Sequence, residues 1–111
     1  MERNAYLRQV ESLWEKNWPG GLPREVVYPE GEILMTDYLR RRAQQTPDKP
    51  CVIYYGAEMT FRQLDDYSDR FAACLAGRGL KKGDRVAVFM PNCPQFLIAF
   101  YGILKLGCIH V

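Results

Sequence analysis

Residues 85–111, RVAVFMPNCPQFLIAFYGILKLGCIHV, decide the fold. The stretch opens with an apolar run, Arg85–Met90, of the kind that forms a buried strand. A proline-containing turn follows, and Pro94 starts a helix that is apolar almost all round. Gly107 ends this helix, and residues 108–111 predict a second buried strand. A strand, a helix and a strand joined by short turns predict a right-handed crossover between parallel strands.

The same alternation of strands and helices is found upstream. Residues 51–60 predict a small β-hairpin with a tight turn at Gly56-Ala57. Thr60 and Gln63 have the capping-box spacing, so a helix is expected directly after the threonine. From the hairpin to the end of the chain the order is therefore strand, helix, strand, helix, strand. This order predicts an α/β fold with a partial parallel-sheet lobe of about three strands.

The N-terminal third has a different composition. Residues 4–17 have apolar side chains at helical spacing and predict an amphipathic helix. Residues 18–33 are rich in proline and glycine and predict an extended surface loop. Its expected anchors are Trp18, Leu22, Val26, Val27 and Tyr28. We therefore divide the chain into an N-terminal helical and extended arm, 1–33, and an incomplete α/β subdomain, 34–111, which opens with a helix over 34–45.

The predicted sheet lacks neighbours. Parallel sheets are normally wider than three strands and are covered on both faces. We therefore expect 34–111 to be a truncated part of a larger domain, with the apolar surface of the last helix uncovered. An exposed apolar helix and an unpaired terminal strand predict self-association.

Composition and charge exclude several classes of protein. The 15 basic and 13 acidic side chains of the 111 residues give a net charge of +2, which does not favour a nucleic-acid partner. Arg40, Arg41 and Arg42 are interpreted as a solvated helix face. The longest apolar run, 96–104, is far shorter than the roughly 20 residues of a transmembrane segment. No signal-peptide pattern follows Met1, so we expect a cytoplasmic location.

Several residues with metal-binding or nucleophilic potential are assigned structural roles. The spacing of Cys51, Cys74, Cys93 and Cys108 fits neither a zinc site nor a dense disulfide framework, so free thiols are predicted. His110 is interpreted as a packed or partner-facing residue. The aspartates of the helix after Thr60 are interpreted as solvated charges that favour its dipole, not as metal ligands; they are Asp65, Asp66 and Asp69.

One stretch is a candidate ligand site. Met90–Pro94 follows a predicted parallel strand, and open α/β sheets bind ligands at the carboxyl ends of their strands. The alternative interpretation is that Asn92 caps the next helix. Gly20-Gly21 lacks the strand-to-helix setting of a phosphate-binding loop. We predict no catalytic, cofactor-binding or metal-binding residue in this chain.

Three stretches resemble the adenylate-forming (AMP-binding) synthetases. Met59–Leu64, MTFRQL, is similar to their first core motif, and Gly79–Val88 with Met90-Pro91-Asn92 is similar to the segment that follows. Leu104–Val111, LKLGCIHV, resembles their second core motif, from which Leu106 and Cys108 depart. Within the family, the lead-in from Trp18 is most similar to bacterial long-chain fatty acid CoA ligases.

The resemblance implies an N-terminal fragment of an acyl-CoA ligase, an enzyme of fatty acid and lipid metabolism. Such an enzyme binds ATP, Mg²⁺ and coenzyme A, and converts a fatty acid through an acyl-adenylate to a thioester. The family's catalytic motifs lie beyond its second core motif, so the resemblance transfers no site residue. It implies a fragment that is inactive alone, binds no cofactor, and has the remainder of the enzyme as its partner.

Two alternatives remain open. The chain could be a stand-alone, non-catalytic interaction module derived from the same family, for which a stop codon after Val111 would be evidence. It could also be a small nucleotide-binding α/β domain that uses Met90–Pro94, in which case Asn92→Ala would weaken ATP binding.

Overall fold

The computed structural model describes the backbone of residues 3–111 and the side chains from residue 4 onwards. The prediction that no signal peptide is present concerns the start of the chain, whose first two residues lie outside this range. The elements in chain order are α1 (Arg3–Asn17), α2 (Met35–Gln45), β1 (Pro50–Tyr54), β2 (Ala57–Thr60), α3 (Phe61–Gly77), β3 (Arg85–Val86), α4 (Pro94–Lys105) and β4 (Ile109–His110). The described residues form two compact units, one ending at Glu32 and one from Ile33 to Val111.

The first unit consists of α1 and a loop without regular structure. The indole Nε1 of Trp18 donates a hydrogen bond to the carbonyl of Leu22 at 3.0 Å, and its ring lies 6.2 Å from that of Trp14. The five side chains expected to anchor the loop are all exposed, so that prediction is wrong. A single helix offers too little apolar surface to cover them, and it also exposes its own Trp14.

In the second unit, β1 and β2 form an antiparallel hairpin that is a sheet of its own. Its turn lies at Tyr55-Gly56, one residue earlier than predicted. Tyr55 has φ 48° and Gly56 has φ 82°, both in the left-handed region that a two-residue hairpin turn requires. Among the described residues β1 pairs with β2 alone, and this hairpin is separate from the parallel sheet.

β3 and β4 form the parallel pair, with Arg85 opposite Ile109 and Val86 opposite His110. A further bond from the Val88 amide to the Val111 carbonyl, 3.0 Å long, extends the ladder. β3 and β4 are therefore parallel, and α4 lies between them in the chain. The prediction of about three parallel strands is wrong, because the described residues contain one two-stranded parallel sheet.

The predicted capping box begins α3. The hydroxyl of Thr60 accepts from the Gln63 amide at 3.2 Å, and the Gln63 side chain accepts from the Thr60 amide at 2.9 Å. These two bonds satisfy amides that a helix leaves without an internal partner. The local sequence alone therefore determines where the longest helix begins.

The core of the second unit consists of two apolar clusters, and α4 packs against both. The first joins α2, β2 and α3, and the second joins α3, α4 and the residue before β4. Their buried members are Leu39, Met59 and Leu64 in the first, and Leu75, Ile103 and Cys108 in the second. Every residue of α4 except Gln95 is at least partly buried. The prediction of an uncovered last helix is therefore wrong.

α4 approaches α3 closely at Gly102. A β-carbon built there would lie 2.8 Å from Phe71 Cδ1 and 2.9 Å from the Ser68 carbonyl oxygen. Only glycine allows the two helices to approach this closely. This approach places α4 against α3 and covers one face of the β3–β4 pair.

Candidate functional site

In the sequence-predicted ligand site, Met90–Pro94, the first three residues are exposed, Cys93 is half-buried, and the half-buried Pro94 is already the first residue of α4. Cys93, not Asn92, occupies the N-cap position of α4, and its side chain makes no capping hydrogen bond. The interpretation of Asn92 as the cap of α4 is therefore wrong. Asn92 is exposed and instead borders a groove.

This groove has a volume of about 270 Å³ and lies between the hairpin and the start of α4. Its lining consists of Val52, Tyr54, Asn92, Cys93, Pro94, Phe96 and Leu97. None of these lining residues is a lysine or an arginine, and phosphate recognition relies on such cations or on clustered backbone amides. The groove therefore has the chemistry of an apolar contact surface.

A buried lysine paired with two aspartates lies away from this groove, between α3 and α4. The side chain of Lys105 is 2% exposed, and its Nζ lies 2.8 Å from Asp69 Oδ1 and 2.5 Å from Asp65 Oδ1. It also donates to the Asp65 carbonyl at 2.9 Å. The ammonium group therefore donates two hydrogen bonds to Asp65 and forms an ion pair with Asp69.

The aspartates of α3 therefore have different roles, and the solvated-face interpretation is wrong for Asp65. Its side chain is only 24% exposed, because it packs against Lys105. Asp66 pairs instead with Arg70 at 2.7 Å on the exposed side of the helix. Among the described side chains, no group of three or more His, Cys, Asp or Glu is arranged to hold a metal ion.

The sequence contains a signal for the Lys105 cluster, although the predictions above do not include this cluster. Lys105 is the one charge of an otherwise apolar helix, so burial of that helix requires partners for it. Asp65 and Asp69 are four residues apart and share one face of α3. Their pairing could be proposed from the sequence only once the crossing of α3 and α4 was known.

The thiol and phenol nearest the first core cluster are poorly suited to act as nucleophiles. Burial raises the pKa of the Cys51 thiol, an effect that a hydrogen bond with its own backbone partly opposes. Burial also raises the pKa of the Tyr101 hydroxyl, and the nearby charge of Cys51 adds to this. A raised pKa reduces the thiolate fraction at neutral pH and with it the reactivity of the thiol.

All four cysteines are free, as predicted. His110 is packed, which was one of its two interpretations: its ring lies 5.7 Å from that of Phe96 and 5.2 Å from that of Phe100, both nearly edge-on. Its buried Nε2 has no hydrogen-bond partner within the described part of the chain.

The comparisons with known proteins agree with this α/β arrangement. The sequence profile of the family described as AMP-binding enzyme matches residues 39–111. The chain belongs to this family. Its resemblance to the adenylate-forming synthetases is thereby confirmed.

Relatives and solved structures in this family include acyl-CoA ligases. The chain is 38% identical over 105 residues to a long-chain-fatty-acid–CoA ligase of Bacillus subtilis, covering 93% of this chain and 18% of the relative. It is 41% identical over 103 residues to the enzyme of the same name from Yersinia pestis, covering 92% and 18%. A fatty acyl CoA synthetase of Mycobacterium tuberculosis superposes with a TM-score of 0.64 at 36% identity, covering 68% of this chain and 15% of that one.

The chain therefore spans about 18% of the length of the curated relatives it matches, and it corresponds to their N-terminal portion. Most of each relative has no counterpart among residues 1–111.

Proposed function

We propose that the chain is the N-terminal part of an ATP-dependent long-chain-fatty-acid–CoA ligase. The similarity to ligases of that name across more than nine-tenths of this chain is the observation that supports this assignment. In the proposed reaction, the fatty acid carboxylate attacks the α-phosphate of ATP, which yields an acyl-adenylate and pyrophosphate. The thiol of coenzyme A then attacks the acyl carbon, and AMP leaves as the thioester forms.

In this proposal residues 1–111 supply scaffold, and the remainder of the ligase supplies the reacting groups. ATP, Mg²⁺ and coenzyme A are cofactors of the whole enzyme, and the 111-residue part binds none of them by itself. Two observations support this division. The groove beside Asn92 has no cationic lining residue, and the thiol and phenol of the first core cluster have raised pKa values.

We propose that residues 1–33 form an N-terminal arm and residues 34–111 an α/β subdomain of the nucleotide-binding domain. In the whole enzyme, further strands would extend the β3–β4 pair into a wider parallel sheet. We assign the enzyme to the cytoplasm, since its free cysteines suit a reducing compartment. Among residues 3–111, no helix has the length and apolar character needed to cross a membrane.

A chimera tests the ligase assignment. The 111-residue chain would replace the matched segment of the Bacillus subtilis relative, and acid-dependent ATP–pyrophosphate exchange would be measured. We expect exchange from the chimera and none from the 111-residue chain alone. Exchange by the isolated chain, or a folded chimera without exchange, would contradict the proposal.

We also propose that the isolated chain self-associates. The uncovered apolar surface lies on the β3–β4 pair, where Phe89 is fully exposed and Ile109 and Val111 are 47% and 64% exposed. Such surfaces normally mark interfaces. Sedimentation velocity over a range of concentrations is expected to show association, and a monomer at every concentration would contradict it. The same surface favours the second candidate function, a non-catalytic interaction module.

A further inference from the structure

The N-terminal unit contains a pocket between α1 and the loop that follows it. The pocket has a volume of about 290 Å³ and is lined by Glu11, Trp14, Glu15, Trp18 and Arg24. The first four of these residues are spaced three and four positions apart, which places them on one face of α1 and of the residue directly after it. All five lie in the first compact unit, so the pocket belongs to that unit alone.

Two indole rings form the apolar wall of this pocket. The ring centroids of Trp14 and Trp18 lie 6.2 Å apart, and the ring planes are inclined by 41°. The Trp18 Nε1–H donates to the Leu22 carbonyl at 3.0 Å, and this bond fixes the orientation of the ring. Because the face of an indole ring carries a negative electrostatic potential, two such rings that line one pocket attract a cation.

The charged residues of the pocket also favour a cation. Glu15 is paired with Arg24, whose Nη1 lies 3.7 Å from Glu15 Oε1, and both side chains of this pair are mostly exposed. Exposed pairs of this kind are weak. Glu11 has no ion-pair partner among the described residues. The two carboxylates and one guanidinium give the pocket a net charge of −1, so a ligand with a single positive charge complements it.

The lining favours an organic cation over a metal ion or a primary ammonium group. A metal ion needs several oxygen ligands, and no group of three or more His, Cys, Asp or Glu is arranged to hold one among the side chains that the structure describes. A primary ammonium is strongly hydrated and needs hydrogen-bond acceptors, whereas the indole nitrogen is a donor only. A quaternary ammonium group has no donor, and aromatic side chains bind it through the faces of their rings.

We propose that the pocket between Trp14 and Trp18 binds a small soluble compound that carries a trimethylammonium group. The methyl groups contact the two indole rings, and Glu11 supplies the opposing charge. The pocket is open to solvent, with Trp14 68% exposed, and exposed cation–π contacts are individually weak. The affinity is therefore low. This inference does not rest on the proposed ligase function.

Tryptophan fluorescence tests the proposal, because Trp14 and Trp18 are the two tryptophans of the 111 residues and the signal comes from this pocket alone. The full chain would be titrated with choline chloride at an ionic strength held constant with sodium chloride. We expect a saturable change with half-saturation in the millimolar range. Neohexanol, in which carbon replaces the nitrogen of choline, is the control ligand and is expected to bind about fivefold or more weakly. No saturable change, or equal binding of the two ligands, would overturn the proposal.

Two substitutions change the charge of the pocket in opposite directions. Glu11→Gln removes the unpaired carboxylate and is expected to raise the half-saturating choline concentration about two- to fivefold. Arg24→Gln removes the cation that competes for Glu15 and is expected to lower that concentration about twofold. Glu25→Gln is the matched control, since it removes an exposed carboxylate that does not line the pocket. Equal effects of Glu11→Gln and Glu25→Gln, or weaker binding by Arg24→Gln, would contradict the proposal.

Vesicles of phosphatidylcholine separate a soluble ligand from a lipid headgroup. Cosedimentation with these vesicles, without a response to free choline, would overturn the proposal and assign the two tryptophans to a membrane surface. Circular dichroism would verify that each variant keeps α1. If a variant loses this helix, the comparison of choline with neohexanol on the unsubstituted chain still decides the result.

Discussion

Lys105 and Asp69 form an ion pair of 2.8 Å that joins α4 to α3, and the lysine side chain is almost entirely buried. Asp65 completes the arrangement with its carboxylate and its backbone carbonyl. A buried ammonium group costs several kcal/mol unless all of its donors are paired. The ion pairs with Asp65 and Asp69 therefore offset the cost of burying Lys105 in α4, a helix that packs against both core clusters.

Lys105→Met is expected to lower the free energy of unfolding by about 2 kcal/mol, because it leaves Asp65 without its cationic partner and leaves Asp69 with only the longer pair to Arg40, at 3.7 Å, while keeping the apolar stem. The half-exposed Asp69 limits the loss. Urea unfolding followed by circular dichroism would measure it. Arg70→Met is the control, since the Arg70–Asp66 pair is exposed and is expected to contribute about 0.5 kcal/mol or less. Equal losses for the two variants would contradict the assignment.

Gly102→Ala is expected to destabilise the chain by about 1–3 kcal/mol, since the added methyl group would collide with Phe71 and the Ser68 carbonyl. Gly77→Ala, at the end of α3, is the matched control. A β-carbon at Gly77 meets nothing within 4 Å, so this change is expected to be neutral or stabilising by about 0.5 kcal/mol. Thermal unfolding of both variants would compare them. A neutral Gly102→Ala would show that α3 and α4 can separate at little cost.

Tyr55→Asn is expected to stabilise the hairpin by about 0.5 kcal/mol, because asparagine tolerates the left-handed backbone that Tyr55 adopts. The change also removes the edge-on contact with Tyr54, whose ring lies 4.6 Å away. Tyr55→Ala separates the two effects, since it loses the ring without gaining the backbone preference. Chemical unfolding should show that the Tyr55→Asn variant is more stable than the Tyr55→Ala variant. The reverse order would contradict the turn assignment.

The stability of the chain is expected to fall as the pH rises into the alkaline range. The folded state keeps the proton on Cys51, whose pKa is raised, while the unfolded chain releases it at a lower pH. The stabilising contribution is therefore complete below the unfolded pKa and is lost as the pH rises through the folded pKa. The pKa of the Tyr101 hydroxyl is also raised, so its contribution to stability is lost in the same direction, as the pH rises.

Cys51→Ala should reduce this alkaline loss of stability, as measured by the urea midpoint between neutral and strongly alkaline pH. Cys74→Ala is the control at an exposed cysteine and is expected to leave the pH profile unchanged. An identical pH profile for Cys51→Ala and the unsubstituted chain would show that burial of this thiol does not affect folding.

Local patterns were sufficient to predict much of the second unit. The Thr60–Gln63 capping box and the Pro94 helix start depend on residues within a few positions of each other, and both are confirmed. The resemblance of the Met59–Leu64 motif to the adenylate-forming synthetases was also visible in the sequence and agrees with the family match. These features are local because their hydrogen bonds and dihedral preferences involve neighbours along the chain.

The tertiary structure alone decided the rest. The Lys105–Asp65 contact joins residues 40 positions apart, and the glycine contact at Gly102 exists only where two helices cross. The sequence pattern predicted the β1–β2 hairpin, but it could not show that β1 would stay out of the parallel sheet, which has two strands among the described residues. Such pairings depend on which surfaces meet after the chain closes its loops, and no local preference encodes that choice.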